Sequence, residues 1–211
     1  MSRCVILSAC PVQPELKRLL CSDDFIIACD AGYRNCERLG CKPDIIVGDF
    51  DSAPCPQQDK DDIVVLPHVK DDTDTEYAAK LAAQKGFDEV LLLGALGGKR
   101  VEHTLANLCT GLGLEQRGVR AALQDERSRI TFVLPGESRC YPKEEFFYFS
   151  AFPMEGRAEG VYEKGSFYEL EDAVLTAGYP LGVSNEYAEG SDCITVSTRQ
   201  GALVVVETIA D

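Results

Sequence analysis

The stretch Val47-Gly48-Asp49-Phe50-Asp51-Ser52 decides how the first half of this chain is interpreted. It continues the apolar run Ile45-Ile46-Val47, which has the length and composition of a buried strand. A strand that ends in Gly and then Asp-x-Asp places carboxylates at a sheet edge, where hard cations and phosphates are commonly bound. The sequence therefore predicts a ligand site at this strand end, with simple turn chemistry as the alternative.

Three further segments extend this pattern, because each of them follows a short apolar run. They are Cys29-Asp30-Ala31-Gly32, Lys70-Asp71-Asp72-Thr73-Asp74-Thr75-Glu76 and Gly94-Ala95-Leu96-Gly97-Gly98-Lys99-Arg100-Val101-Glu102-His103. If the apolar runs are parallel strands of one sheet, right-handed crossovers bring all four segments to its carboxyl edge.

The order of apolar runs predicts the fold class, an α/β domain followed by a small all-β domain. Strands are predicted at 4–8, 25–29, 45–47, 63–66, 90–93 and 120–123, and helices at 14–21, 33–39, 74–85 and 102–116. Continuous apolar strands that alternate with helices indicate a six-stranded parallel sheet covered on both faces, over residues 1–125. Residues 126–211 show only short runs, at 130–134, 146–151, 166–170, 193–197 and 203–207, which are typical of a β-sandwich or barrel.

Composition excludes several classes of protein. The chain has 211 residues, 45% of them hydrophobic, which is enough for a packed core, and a formal charge of -14 that disfavours nucleic acid and anionic membrane as partners. Its ten cysteines form no Cys-x-x-Cys pair, so structural zinc is not expected. No run approaches the ~20 apolar residues of a membrane span, and a start without a signal-peptide pattern predicts a reducing, cytoplasmic location.

Oxygen donors dominate the predicted site. Asp49 and Asp51 point to the same side of an extended segment and can share one Mg²⁺, or Mn²⁺, since hard cations prefer carboxylate oxygens. Asp74 is a candidate third ligand. Thr73-x-x-Glu76 also matches a helix capping box, and the two interpretations are compatible.

The glycine-rich loop at 94–99 has the character of a phosphate cradle, because glycines let backbone N–H groups approach an anion. It is not a Walker A loop, which would need Gly at Leu93 and Ser or Thr at Arg100. A tight strand-to-helix turn is the alternative. His103 is explained as well by packing or by helix capping as by a catalytic role.

These segments, in this order, resemble the thiamine pyrophosphokinase family. The matching motifs are Asp30-Ala31-Gly32, Pro43-Asp44-Ile45-Ile46-Val47-Gly48-Asp49-Phe50-Asp51-Ser52, Lys70-Asp71-Asp72-Thr73-Asp74, Gly98-Lys99-Arg100-Val101-Glu102-His103 and Ser184-Asn185-Glu186. Two positions depart from the family pattern: Glu102 stands where Asp is usual, and Ala31 replaces the first Gly of Asp-Gly-Gly.

The resemblance implies transfer of the pyrophosphoryl group of ATP to the hydroxyl of thiamine, which releases AMP. It implies Mg²⁺ on Asp49, Asp51 and Asp74, and ATP phosphates on Lys70, Thr73 and Arg100. Asp30 would lie at the nucleotide or metal edge, Glu102 near the acceptor or the metal, and Asp71 or Asp49 are candidates for accepting the hydroxyl proton. Ser184 and Asn185 would contact the aminopyrimidine, with a polar turn as the alternative.

The resemblance also implies a homodimer whose thiamine pocket lies between the α/β domain of one subunit and the β domain of the other. Residues 1–125 would bind ATP and Mg²⁺, and residues 126–211 would bind thiamine. Two other functions compete with this one: pyrophosphoryl transfer to another hydroxymethyl heterocycle such as a pterin, and a sensor that binds nucleotide or thiamine without turnover.

Overall fold

A computed structural model of the chain describes residues 2–49, 63–66 and 71–210. The chain divides into two compact units, Met1–Glu126 and Arg127–Asp211. Asp51 and Lys70 lie outside the described residues. In the described part, no helix combines the length and the apolarity needed to cross a bilayer.

The first unit is built on a sheet of parallel strands, as predicted. In the described part these are β1 (Arg3–Leu7), β2 (Phe25–Cys29), β3 (Ile45–Gly48), β4 (Ile63–Val65), β5 (Glu89–Leu93) and β6 (Arg120–Gln124). Their spatial order is β6-β5-β1-β2-β3-β4, and every neighbouring pair is parallel. The chain therefore moves one way from β1 to β4 and the other way from β5 to β6, so the direction switches between β1 and β5.

The helices of this unit follow the strands. They are α1 (Tyr33–Leu39), α2 (Asp74–Gln84) and α3 (Val101–Gln116), with short 3-10 helices at Pro14–Leu19 and Asp30–Gly32. The α-helix predicted at 14–21 is thus a shorter 3-10 helix. Only Leu16 is buried in it, so no apolar stripe stabilises a longer helix.

The core of the first unit lies where the strands meet the helices. Val5, Leu7, Ile46 and Leu93 are fully buried there, and α1 contributes Cys36 and Leu39 to the same cluster. Burial of strands on both faces explains why they appear in the sequence as continuous apolar runs.

The second unit consists of two antiparallel sheets, as the predicted sandwich requires. Its strands are β7 (Ser128–Val133), β8 (Ser138–Pro142), β9 (Tyr148–Pro153), β10 (Arg157–Lys164), β11 (Leu170–Thr176), β12 (Asn185–Glu186), β13 (Cys193–Ser197) and β14 (Leu203–Thr208). One sheet has the order β12-β9-β14-β7 and the other β11-β10-β13-β8. Phe149, Leu203 and Val205 from the first sheet pack with Val161 and Ile194 from the second.

The strand predicted at 166–170 is wrong: this segment joins β10 to β11. Phe167 and Tyr168 have high β propensity, but their side chains are exposed. The backbone of Tyr168 forms hydrogen bonds with the side chain of Asn185 and not with a strand.

Candidate functional site

Two predicted acidic residues lie at neighbouring strand ends. Cys29 is in register with Val47, so Asp30 follows β2 beside Gly48, and Asp49 comes one residue later. A side chain on Gly48 would bring its Cβ to 3.1 Å from the Asp30 Cα, a tight contact that would require a shift of a few tenths of an ångström. Asp30 is 9% exposed and has a φ of 47°, a left-handed conformation that is uncommon outside glycine. Ala31 does not have a positive φ, so its methyl group is tolerated.

The N-terminus of α2 lies against the same strand ends. The Thr75 hydroxyl forms a buried 2.9 Å hydrogen bond with the Ser8 hydroxyl, just past β1. The Cys29 thiol donates to the Asp74 carbonyl at 3.6 Å, at the end of β2. These two contacts place half-buried Asp74 beside the segment that carries Asp30.

Thr73 is the N-cap residue of α2, as the capping pattern predicts, because its side chain accepts a 3.1 Å hydrogen bond from the Glu76 N–H. The Glu76 carboxylate lies 3.7 Å from Lys80 and 3.5 Å from Arg117. Lys80 also donates to Asp72 at 2.6 Å, which leaves Asp71 as the exposed acid of this segment.

The loops after β1 and β5 meet at the point where the sheet changes direction. The Cys10 N–H donates to the Gly94 carbonyl at 3.0 Å, and the Cys10 thiol donates to the Gly97 carbonyl at 3.4 Å. Gly94 has a φ of 66°, and a Cβ there would lie 2.6 Å from the Cys10 carbonyl oxygen, so the position excludes other residues. In open α/β sheets, ligands commonly bind in the crevice at such a switch point.

Asn35 holds the loop after β1 and was not singled out by its sequence position. Its side chain is 1% exposed. The amide nitrogen donates to the carbonyls of Ser8 and Cys10 at 2.7 and 2.8 Å. The amide oxygen accepts from the Val12 N–H at 3.2 Å and from Arg38 at 2.8 Å. The sequence signal that could have identified Asn35 is that it is a polar residue at a position where the helical spacing of α1 predicts an apolar one.

A cavity of about 190 Å³ opens between these two loops. Residues 10–12 and 96–98 line it, together with Leu16, Gly94, Asp125 and Glu126. Its glycine-lined wall is the predicted phosphate cradle, placed at the carboxyl edge of the sheet.

Arg100 and Glu102 form an exposed ion pair at the start of α3. The Arg100 Nε donates to the Glu102 carboxylate at 2.8 Å, and the two side chains are 69% and 62% exposed. This hydrogen bond, more than any other influence, lowers the pKa of Glu102. Both charged groups are therefore open to solvent and available to a ligand.

The predicted thiamine segment lies in the second unit. Ser184 is exposed, has a φ of 55°, and its N–H donates to the Ser150 hydroxyl at 3.0 Å. Asn185 is only 6% exposed, and its amide is used in hydrogen bonds within the protein.

The acidic residues at the sheet edge do not form a closed cage. Among the described residues, the acidic and thiol ligand atoms that all lie within 4.8 Å of one another belong to Cys21, Asp23 and Asp24. Asp24 there forms a 2.7 Å ion pair with Arg3, which accounts for this group. The predicted metal ligands Asp49 and Asp74 are instead presented from β3 and α2.

Comparison with known proteins identifies the family. The family model described as the thiamin pyrophosphokinase catalytic domain matches residues 16–123, and the one described as the thiamin pyrophosphokinase vitamin B1 binding domain matches residues 139–203. The thiamine pyrophosphokinase of Bacillus subtilis is 26% identical over 200 residues, which cover 92% of each chain.

Solved structures show the same fold. A thiamine pyrophosphokinase structure from Bacillus subtilis superimposes with a TM-score of 0.87 at 23% identity and covers 100% of both chains. One from Geobacillus thermodenitrificans gives a TM-score of 0.85 at 26% identity, over 100% of this chain and 98% of the other. Since the catalytic family model spans more than half of the sequence, the chain belongs to the thiamin pyrophosphokinase family.

Proposed function

We propose that the carboxyl edge of the N-terminal sheet is where this enzyme transfers the pyrophosphoryl group of ATP to thiamine. The observation that carries the proposal is the meeting of Asp30, Asp49 and the start of α2 on neighbouring strand ends, next to the glycine-lined cavity. The match to the catalytic family model, residues 16–123, includes Asp30, Asp49 and the start of α2, together with the cavity residues Leu16, Gly94 and 96–98. The other cavity residues, 10–12, Asp125 and Glu126, lie outside the match.

The donor set fits magnesium. Asp49 and Asp74 supply carboxylate oxygens, and Asp51, outside the described residues, would add another. When bound, the ion supplies positive charge that offsets the triphosphate and the charge that develops on the departing AMP. The same carboxylates would also accept Mn²⁺.

Nucleotide phosphates would contact Arg100, Thr73 and the backbone of the 94–98 loop, with Lys70 as a further cation outside the described residues. Arg100 is mostly exposed, and its guanidinium can exchange part of its contact with Glu102 for a phosphate. Glu102 would then lie near the acceptor or the metal.

In the reaction, the hydroxyl oxygen of thiamine forms a bond to the β-phosphorus of ATP, and the bond from that phosphorus to the oxygen shared with the α-phosphate breaks. AMP leaves with the electron pair of the broken bond, and the hydroxyl proton passes to a carboxylate. Exposed Asp71 and half-exposed Asp49 are the candidates for accepting it.

A homodimer is part of the proposal. The second unit exposes large apolar side chains that a second copy would cover: Val174, Tyr179, Leu181 and Val183. Light scattering on the purified protein should give twice the chain mass of 23.1 kDa. The chain mass itself, at micromolar concentration, would contradict the dimer.

The free thiols of the described cysteines support a further proposal, a cytoplasmic location.

The activity is tested by incubating the protein with Mg²⁺-ATP and thiamine and measuring AMP and thiamine diphosphate. Equal amounts of the two products are expected, with no turnover in EDTA. A parallel reaction with a hydroxymethylpterin should give no AMP above background. ATP binding without AMP formation in the thiamine reaction would instead indicate a sensor.

A further inference from the structure

Asn185 uses its whole side-chain amide within the protein. Its oxygen accepts from the N–H groups of Tyr168 and Glu186, both at 3.0 Å. Its nitrogen donates to the Tyr168 carbonyl at 2.8 Å and to the Glu163 carboxylate at 2.5 Å. The amide therefore pairs with Tyr168 as a peptide group of a neighbouring strand would, and its remaining hydrogen goes to Glu163.

Glu163 is an uncommon group to find at an inward position of a strand. It lies in β10 two residues after fully buried Val161, and it is 1% exposed itself. The neutral Asn185 amide donates to its Oε1, and its Oε2 is buried with no hydrogen-bond partner among the described residues. Buried Glu207, by contrast, receives two hydrogen bonds from Arg129, at 2.7 and 2.9 Å.

The Glu163–Asn185 pair holds an exposed aromatic surface. Phe167 and Tyr168 are 65% and 70% exposed, and their rings meet edge to face at 4.8 Å between centroids. The backbone beside them is also tied to the segment after Asn185, since the Phe167 N–H donates to the Glu186 carbonyl at 2.8 Å. One buried side chain thus connects the aromatic loop to the strand that follows Ser184.

We propose that Glu163 and Asn185 are positioning residues for thiamine, which act by fixing the loop of Phe167 and Tyr168 relative to Ser184. The inference rests on the proposed function, because the whole network lies within the match to the vitamin B1 binding domain. Asn185 then acts through its neighbours, since its own hydrogen-bonding groups are occupied. A rigid aromatic face beside an exposed hydroxyl suits an aromatic heterocycle that carries polar edges.

The test separates thiamine binding from ATP binding by steady-state kinetics. Glu163→Ala removes the acceptor of the Asn185 amide, and Asn185→Asp replaces the amide nitrogen with an oxygen that cannot donate to Glu163 or to the Tyr168 carbonyl. Each is expected to raise the KM for thiamine by about tenfold or more. The KM for ATP should change by less than about twofold, because the nucleotide residues lie in the other unit. Glu163→Gln keeps an oxygen that can accept from Asn185, so its thiamine KM should stay within about threefold of wild type.

Glu171→Gln is the matched control, since Glu171 is an exposed acid on the adjacent strand β11. A structural reporter completes the test, because the chain contains no tryptophan. In a Tyr168→Trp background, the fluorescence anisotropy of the loop should fall when Glu163→Ala is added and stay unchanged when Glu171→Gln is added.

Equal rises of the two KM values in Glu163→Ala and Asn185→Asp, or unchanged thiamine KM and anisotropy, would overturn the positioning role. If Glu163→Ala does not fold, Asn185→Asp and Glu163→Gln still decide between these outcomes. The proposed function fails differently: wild-type protein would then form no thiamine diphosphate, while the anisotropy change would still report whether the pair holds the loop.

Discussion

Two buried asparagines, Asn35 in the first unit and Asn185 in the second, make similar sets of hydrogen bonds but have different ionisable partners. Each has its amide engaged by four hydrogen bonds, and each ties a loop to its own element, Asn35 to α1 and Asn185 to β12. The fourth partner of Asn35 is the cation Arg38, whereas that of Asn185 is the carboxylate Glu163. An amide can serve both because it is donor and acceptor at once.

In both units, the exposed groups to which the proposal assigns ligand contacts differ from the buried residues that hold the loops. In the first unit the acids Asp49 and Asp74 are partly exposed, and the hydrogen bonds of buried Asn35 hold the loop after β1. In the second, exposed aromatic rings stand above a closed polar network. Substitutions of the exposed groups should therefore change activity, and substitutions of the buried groups should change stability as well.

The largest effect on activity is expected for the partly exposed acids Asp49 and Asp74. Asp74→Asn or Asp49→Asn should lower kcat by about 100-fold or more, because a metal ligand and its charge are lost. The melting temperature should stay close to wild type, since neither side chain is part of the core. The kcat of Asp23→Asn, the same change at the opposite end of β2, should be unaffected. Activity near wild type in Asp74→Asn would remove the magnesium assignment.

Replacing Asn35, the buried amide of the first unit, should lower the stability of the protein. Asn35→Leu leaves the carbonyls of Ser8 and Cys10 and the Val12 N–H without their partner, at a cost of roughly 3 kcal/mol. Urea unfolding should show this loss, together with a higher KM for ATP. If stability were unchanged, the loop would be held by its other contacts, and the parallel between the two asparagines would not stand.

Glu163, the ionisable partner of Asn185, should also make the stability of the protein depend on pH. Burial raises the pKa of Glu163 to about 7, above its ordinary value of 4.5, so the folded protein keeps a proton that the unfolded chain has lost. This contribution to stability is present below about pH 4.5 and is lost as the pH rises through about 7.

Glu163→Gln has no such proton. Its free energy of unfolding relative to wild type should therefore increase between pH 5 and pH 8, by at most about 3 kcal/mol. Glu207 is present in both proteins, so its own raised pKa cancels in the difference. A constant difference across this range would show that Glu163 is ionised throughout.

The smallest effect is expected for Glu102→Asp, which restores the residue usual in the family. Its stability should not change, because the ion pair with Arg100 is exposed. The value of kcat/KM should change by less than about tenfold, well under the ~100-fold that a 1 Å misplacement of a reacting group can cost. A larger loss would mean that the carboxylate of Glu102 sits against the reacting atoms.

The sheet could be predicted from sequence, because buried parallel strands leave continuous apolar runs, and the loops that follow such strands share one edge. That this edge binds the ligand stays a prediction. The Thr73 cap was equally visible, since its partner is three residues away. Asn35 and Glu163 were missed, although each is a polar residue at an apolar position of its helix or strand. Their roles depend on partners such as Ser8 and Asn185, at least 22 residues away, which local patterns do not reveal.

Gly48 matters because it has no side chain. A Cβ at this position would lie 3.1 Å from the Asp30 Cα, so glycine lets the ends of β2 and β3 approach without a backbone shift. A mutagenesis library restricted to polar or charged positions would pass over it, and so would a search for reactive groups. Transplanting this acidic edge to another scaffold would have to carry the empty volume along with the carboxylates.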